Sequence, residues 1–177
     1  MTKPKIAWGL TGAGHFLPEC VDILRQLPDI EVFLSRAAEE VLRAYRLLGG
    51  IQAVGLPIYR DTDAGALPVT RLYAGRYRLV VIAPVTANSL AKMAAGIADT
   101  LVTNLFAHAG KSRTPAILLP SDKEAATGSL TPGGGTVQVY IRDVDRQNAV
   151  RLGGWPGVTV VGGPAELAER LRLFQGQ

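Results

Sequence analysis

The stretch Leu79-Val-Val-Ile-Ala-Pro-Val-Thr-Ala-Asn-Ser-Leu-Ala-Lys-Met93 decides how the rest of the chain is read. Residues 79–83 are a continuous apolar run, the pattern of a strand buried on both faces. Pro84 is expected to end that strand, and Thr86, Asn88 and Ser89 to open a helix running to about Ala95. Hydroxyls and backbone N–H groups at a strand-to-helix turn are fixed donors, and the helix dipole favours an anion there. The same residues would also serve as an ordinary helix N-cap without any ligand. The turn gains weight only if other strand ends carry matching groups.

Outward from it the chain alternates strand and helix. Residues 5–10 read as a first buried strand, followed by Leu17, Cys20, Val21 and Leu24 at helical spacing. Residues 31–34 form a short second strand. Ser35 is a natural N-cap for a helix carrying Ala38, Val41, Leu42 and Tyr45, ended by Gly49-Gly50. Short strands are expected at 56–59, 116–119, 136–141 and 158–161, and a closing helix at 165–174. Residues 98–109 read as helix or irregular turn, and 143–152 as helix. Residues 121–135 read as loop, with Thr131-Pro-Gly-Gly-Gly135 marking a hairpin or bulge. The alternation predicts a doubly wound, Rossmann-like parallel α/β sheet with helices on both faces, in one domain spanning 1–177. In such a sheet, ligands bind beyond the carboxyl ends of the strands, where the strand order switches.

Composition narrows the class. The single cysteine, Cys20, excludes an internal disulfide and falls on the apolar face of the first helix, as a structural thiol. No segment approaches the roughly 20 apolar residues of a membrane span, and Lys3-Pro-Lys5 leads straight into strand without a signal-peptide core. A cytoplasmic protein with no membrane partner is expected. The net charge of +4 comes from scattered arginines. Without a basic run interleaved with aromatics, a nucleic-acid partner is not expected.

The turn after the first strand, Gly9-Leu-Thr-Gly-Ala-Gly14, fails as a dinucleotide fingerprint. Counted from Gly12, the third glycine would fall at Leu17. The second strand ends in Ser35-Arg36, where an acidic residue would hold the ribose of NAD. NADP, with Arg36 at its 2′-phosphate, stays open. Thr11 to Gly14, Ser35, and Thr86 to Ser89 place compact donors at three strand ends, which suits a mononucleotide phosphate. The chemistry favours FMN.

Thr86-Ala-Asn-Ser89 after Ile82-Ala-Pro84, followed by Ala91-Lys-Met-Ala-Ala-Gly-Ile-Ala-Asp99, resembles the Pro-Ala-Ser-Ala-Asn-Thr segment of the FMN-binding flavoproteins. That family includes cysteine decarboxylases and prenyl-FMN synthases, and the similarity covers about residues 5–120. The resemblance implies FMN at subunit contacts in a homo-oligomer built from trimers. It implies that Thr11, Gly12, Ala13 and Gly14 frame one side of the FMN and that Ser35 meets its phosphate. Pro84, Thr86, Ala87, Asn88 and Ser89 would hold the ribityl chain and phosphate, Thr103 and Asn104 would lie beside the flavin, and Ser121 would approach the ring or a substrate.

The chain departs from the decarboxylase pattern twice. Leu72-Tyr-Ala-Gly-Arg-Tyr-Arg78 carries no histidine where their catalytic one stands, and Leu119-Pro-Ser-Asp-Lys-Glu124 lacks their Pro-x-Met-Asn clamp. The arginine-rich prenyl-phosphate site of the synthases is missing too. Ile6-Ala-Trp-Gly-Leu-Thr-Gly-Ala-Gly14, Leu17-Pro-Glu19 and the segment from Thr131 to Asp145 are instead similar to an archaeal-type branch that includes dihydromethanopterin reductases. That likeness implies FMN taking electrons from a donor, ferredoxin or a flavin reductase, and passing hydride to the C=N bond of a dihydropterin. Asp122 and Lys123 are the candidates to supply the proton; the other reading of both is a solvated loop. Tyr140 and Arg142 either line a pterin pocket or serve as strand packing and surface charge. His15 reads as a cover for the first helix. An electron-transfer flavoprotein without its own substrate, a flavin-storage protein and a cysteine decarboxylase-like enzyme remain alternatives, as does a second flavin in the acceptor pocket.

Overall fold

The computed structural model describes residues 4–61, 67–122 and 126–175. In chain order the strands are β1 (Lys5–Leu10), β2 (Ile30–Leu34), β3 (Ile58–Arg60), β4 (Tyr77–Val85), β5 (Ala116–Pro120), β6 (Ala126–Leu130), β7 (Thr136–Tyr140) and β8 (Val158–Val160). The helices are α1 (Leu17–Gln26), α2 (Arg36–Ala44), α3 (Leu48–Ala53), α4 (Ala87–Ala94), α5 (Leu101–Ser112), α6 (Asp143–Gly153) and α7 (Pro164–Gln175). Six strands pair in parallel in the order β3-β2-β1-β4-β5-β8, the doubly wound arrangement, and β6 and β7 form a separate antiparallel ribbon. The order reverses between β1 and β4.

Both faces of the sheet are covered, which explains the unbroken apolar runs. Ile6, Trp8 and Leu10 of β1, with Leu79, Val81 and Ala83 of β4, face α1, α2, α3 and α7. Ala7, Phe33, Val80, Ile82 and Leu118 face α4, α5 and α6. Gly9 lets α5 press onto β1, since a Cβ there would lie 2.9 Å from Val102 Cγ1. Cys20 is fully buried in the first cluster, and burial pushes its thiol pKa well above the ordinary range, as expected of an inert structural cysteine. Among the described residues no helix is long and apolar enough to cross a membrane.

Three expectations are corrected. Pro84 does not end its strand: β4 continues to Val85, and its register against β5 shifts between Ile82 and Val85. Such an irregularity is where a residue without an N–H is tolerated inside a sheet. Gly49-Gly50 does not end α2, which stops at Ala44; the two glycines lie inside the short helix α3. The loop expected over 121–135 contains β6, which the hairpin marked at Thr131–Gly135 joins to β7.

One charge is sunk into the opposite, amino-terminal half of the sheet. Glu31 of β2 is fully buried and receives Lys5 Nζ at 3.0 Å, the Arg76 guanidinium, Arg71 Nη1 at 3.7 Å and hydrogen bonds from the Tyr59 and Tyr77 hydroxyls. Burial alone would raise its pKa. The hydrogen bonds from Arg76, Tyr77 and Lys5 outweigh that and hold it down to about 2. Because the folded-state value is depressed, the stabilisation is present above the ordinary carboxylate value of 4.5 and is lost as pH falls towards about 2. Glu31→Gln is expected to cost about 3 kcal/mol at neutral pH, the low end for breaking a buried pair, because the cations keep water contact. Urea melts of both proteins should show that difference shrinking as pH is lowered from 5 towards about 2.

Candidate functional site

At the switch point the β1–α1 loop turns to one face and the β4–α4 turn to the other, and Thr11 fills the gap between them. The Thr11 hydroxyl donates to the Pro84 carbonyl at 3.1 Å and accepts the Thr86 N–H at 2.8 Å. Its own N–H reaches the same carbonyl at 3.4 Å. The neighbouring Ala83 carbonyl takes the buried Trp8 indole N–H at 2.8 Å. Carbonyls beside the irregular step in β4 are thus satisfied by β1 side chains, as burial requires. Thr11 is itself 1% exposed, so its hydroxyl positions the rim and does not face a ligand.

Next to this fork is a cleft of about 240 Å³. Gly12, Ala13, Gly14 and His15 of the β1–α1 loop, Thr86, Ser121 and Asp122 after β5, and Val139 of β7 line it. Glycine is needed twice because the loop packs on α2. A Cβ on Gly12 would lie 2.7 Å from the Ala37 Cβ, and one on Gly14 would strike the Tyr45 hydroxyl. The N–H groups of Gly12, Gly14 and His15, and of Ala87 and Asn88 at the start of α4, have no protein acceptor among the described residues. Donors of this kind at a glycine-rich turn and a helix start are what an anion would satisfy.

The other expected residues fall into two groups. Thr86 caps α4 by accepting the Ser89 N–H at 3.2 Å, and its hydroxyl meets the Ser89 hydroxyl at 3.0 Å, while Asn88 stays exposed. Ser121 is held by its N–H on the Val85 carbonyl at 2.9 Å, and half-buried Asp122 follows it into the cleft. Ser35 sits across β1, its N–H on the Leu10 carbonyl and its hydroxyl accepting the Ala38 N–H, each at 3.1 Å. It caps α2 beside the cleft without lining it. Thr103 and Asn104 are spent on the start of α5: the Thr103 hydroxyl closes a capping box with Thr100, and the Asn104 amide bonds the Ala98 and Thr100 carbonyls. Lys123 lies outside the described residues.

Arg36, the candidate reader of a 2′-phosphate, faces Glu40 at 3.5 Å on the surface. Tyr140 is 72% exposed, and Arg142 forks onto Asp145 with bonds of 2.8 and 2.7 Å. Neither lines the cleft: Tyr140 is exposed and not packed on its strand as one reading expected, and Arg142 is held as a local surface charge. Sequence reasoning missed three features. His15, its ring 3.7 Å from that of Phe16, and Val139 both line the cleft. Asp61 takes the N–H groups of Arg36 and Leu101, tying the starts of α2 and α5 together. An acidic residue directly after β3 was the available signal for that last contact. Among the described residues no cluster could hold a metal ion.

A doubly wound sheet with uncommitted N–H groups from two turns at its switch point defines an anion binder of the nucleotide-fold class. The chain belongs to the flavoprotein family, whose model matches residues 1–171. It is 38% identical over 170 residues to the uncharacterised protein MJ0730 of Methanocaldococcus jannaschii, covering 92% of this chain and 91% of that protein. A dihydromethanopterin reductase (acceptor) of Methanosarcina mazei is 38% identical over 145 residues; the match covers 75% of this chain and 61% of the reductase. The crystal structure of Burkholderia xenovorans DmrB in complex with FMN, described as a cubic protein cage for redox transfer, is similar with a TM-score of 0.85 and 37% identity, covering 97% of each chain.

Thr11→Val keeps the shape at the fork but strands the Thr86 N–H and removes a donor from the Pro84 carbonyl. It should lower stability by about 1–2 kcal/mol, read as a fall in the urea midpoint, while Thr11→Ser stays near the parent.

Proposed function

We propose that this chain binds FMN in the cleft at the switch point and is an oxidoreductase that passes electrons from an external donor to a dihydropterin. The observation that carries the reading is the set of five uncommitted N–H groups around Gly12–His15 and Ala87–Asn88. They suit a monophosphate ester, which needs several donors and close backbone approach. The family membership and the FMN complex of the similar Burkholderia protein support the same cofactor. The pterin acceptor is supported by the name of the Methanosarcina relative, of which this chain spans 61%.

FMN held in the cleft would supply hydride-transfer chemistry to a C=N bond. The protein has to position the two rings and move one proton. Gly12, Ala13 and Gly14 admit the phosphate and ribityl chain at one wall. Thr86, Ala87, Asn88 and Ser89 offer the donors of the opposite turn, with Pro84 shaping it, and Ser35 caps the neighbouring helix. Ser121 and Asp122 close the mouth after β5, and Asp122 is the group that relays a proton from water to the pterin nitrogen. Thr11, Thr103 and Asn104 act through the elements they fasten.

Assembly into a homo-oligomer built from trimers fits the exposed ribbon, where Val137 is 47% and Tyr140 72% exposed. The cysteine-decarboxylase alternative loses support because Leu72–Arg78 carries no histidine and His108 lies on α5 against Tyr73. The donor belongs to the ferredoxin or flavin-reductase class.

The purified protein should show flavin absorption and release FMN, not FAD, on denaturation. Anaerobic mixing of the dithionite-reduced protein with dihydromethanopterin or dihydrofolate should reoxidise the flavin faster than the protein-free mixture. No acceleration over the protein-free rate with either pterin would remove the substrate assignment.

A further inference from the structure

A second groove of about 270 Å³ adjoins the cleft, sharing Gly14 and His15 with it. One side is Phe16, Pro18 and Glu19 at the start of α1; the other is Thr131, Pro132 and Gly134 at the tip of the β6–β7 ribbon. Tyr45 of the α2 end completes the wall. Pro18-Glu19 and Thr131-Pro132 both line the groove. More than a hundred residues apart in sequence, they meet here around one space.

The groove has flat walls and one charge. His15, Phe16 and Tyr45 present rings, and Glu19 presents a carboxylate with no hydrogen bond or ion pair among the described residues. It lies in the first turn of α1. A carboxylate is an acceptor only, with two oxygens that take a pair of parallel N–H donors. The 2-amino-4-oxopyrimidine edge of a pterin offers such a pair, N3–H beside the 2-amino group. A flavin's pyrimidinedione edge has one N–H flanked by two carbonyls, which a carboxylate repels.

We propose that this groove is the acceptor subsite and that Glu19 is its specificity-determining residue, accepting the two donors of the pterin pyrimidine edge and rejecting a second flavin. The proposal rests on the assignment of FMN to the adjoining cleft. Glu19→Gln keeps the size but turns one acceptor into a donor, so one of the two pterin bonds is lost and the flavin edge is no longer repelled.

Equilibrium dialysis of the protein as purified, against 6,7-dimethyl-7,8-dihydropterin and separately against lumiflavin, tests it. The expected result is a rise of about tenfold or more in the dihydropterin Kd for Glu19→Gln, the scale of a charge-assisted bond. Lumiflavin should bind the variant at least as tightly as the parent, with FMN content and melting temperature unchanged. A dihydropterin Kd within twofold of the parent, or lumiflavin bound by the parent more tightly than the dihydropterin, would overturn it. FMN content, measured on the same samples, reports separately on the cofactor assignment: absence of FMN sinks that reading, whereas a full complement with an unchanged pterin Kd sinks only the role of Glu19.

Discussion

The hydroxyl of Thr11 is the contact on which the rim of this molecule depends. It gives its proton to the Pro84 carbonyl and takes the Thr86 N–H, so one side chain joins the ends of β1 and β4. Those strands are where the sheet reverses its order, and the loops leaving them diverge to opposite faces. A crevice necessarily opens between them. The fork keeps the crevice at a fixed width while leaving the backbone donors of both turns pointing at whatever enters.

The doubly wound sheet was legible because strands buried on both faces leave an unmistakable pattern. Leu79 to Ala83 contributes alternate residues to two separate apolar clusters, so every position must be apolar. The glycine and proline run at Thr131–Gly135 did signal a hairpin, but Ala126-Thr-Gly-Ser-Leu130 before it carries no strand pattern of its own, so β6 read as loop. Pro84 misled as a terminator because sequence carries no sign that a strand will shift register around it. At the site, residue types located the turns correctly but could not say which hydroxyls are already spoken for. Thr103 looks like a donor in sequence and is consumed by its own helix start. Backbone N–H groups, invisible in residue identity, make up most of what the cleft offers.

The two edges of the sheet handle polarity in contrasting ways. At the amino-terminal side Glu31 gathers three cations and two phenols into a closed, self-satisfied cluster. At the carboxyl-terminal side the donors are left without protein acceptors. The first cluster is buried and paired, as buried polar groups must be, whereas the second set of donors sits on half-buried or exposed backbone.

The ribbon of β6 and β7 contributes Val139 to one wall of the cleft, yet no residue of β7 belongs to either apolar cluster. A two-stranded ribbon is only marginally stable in water. On the proposed reading, occupancy of the cleft and covering of the ribbon in the assembly would be thermodynamically linked, each favouring the other by stabilising the ordered ribbon. Dilution alone would then loosen the ligand's hold, with no change in any residue that touches it.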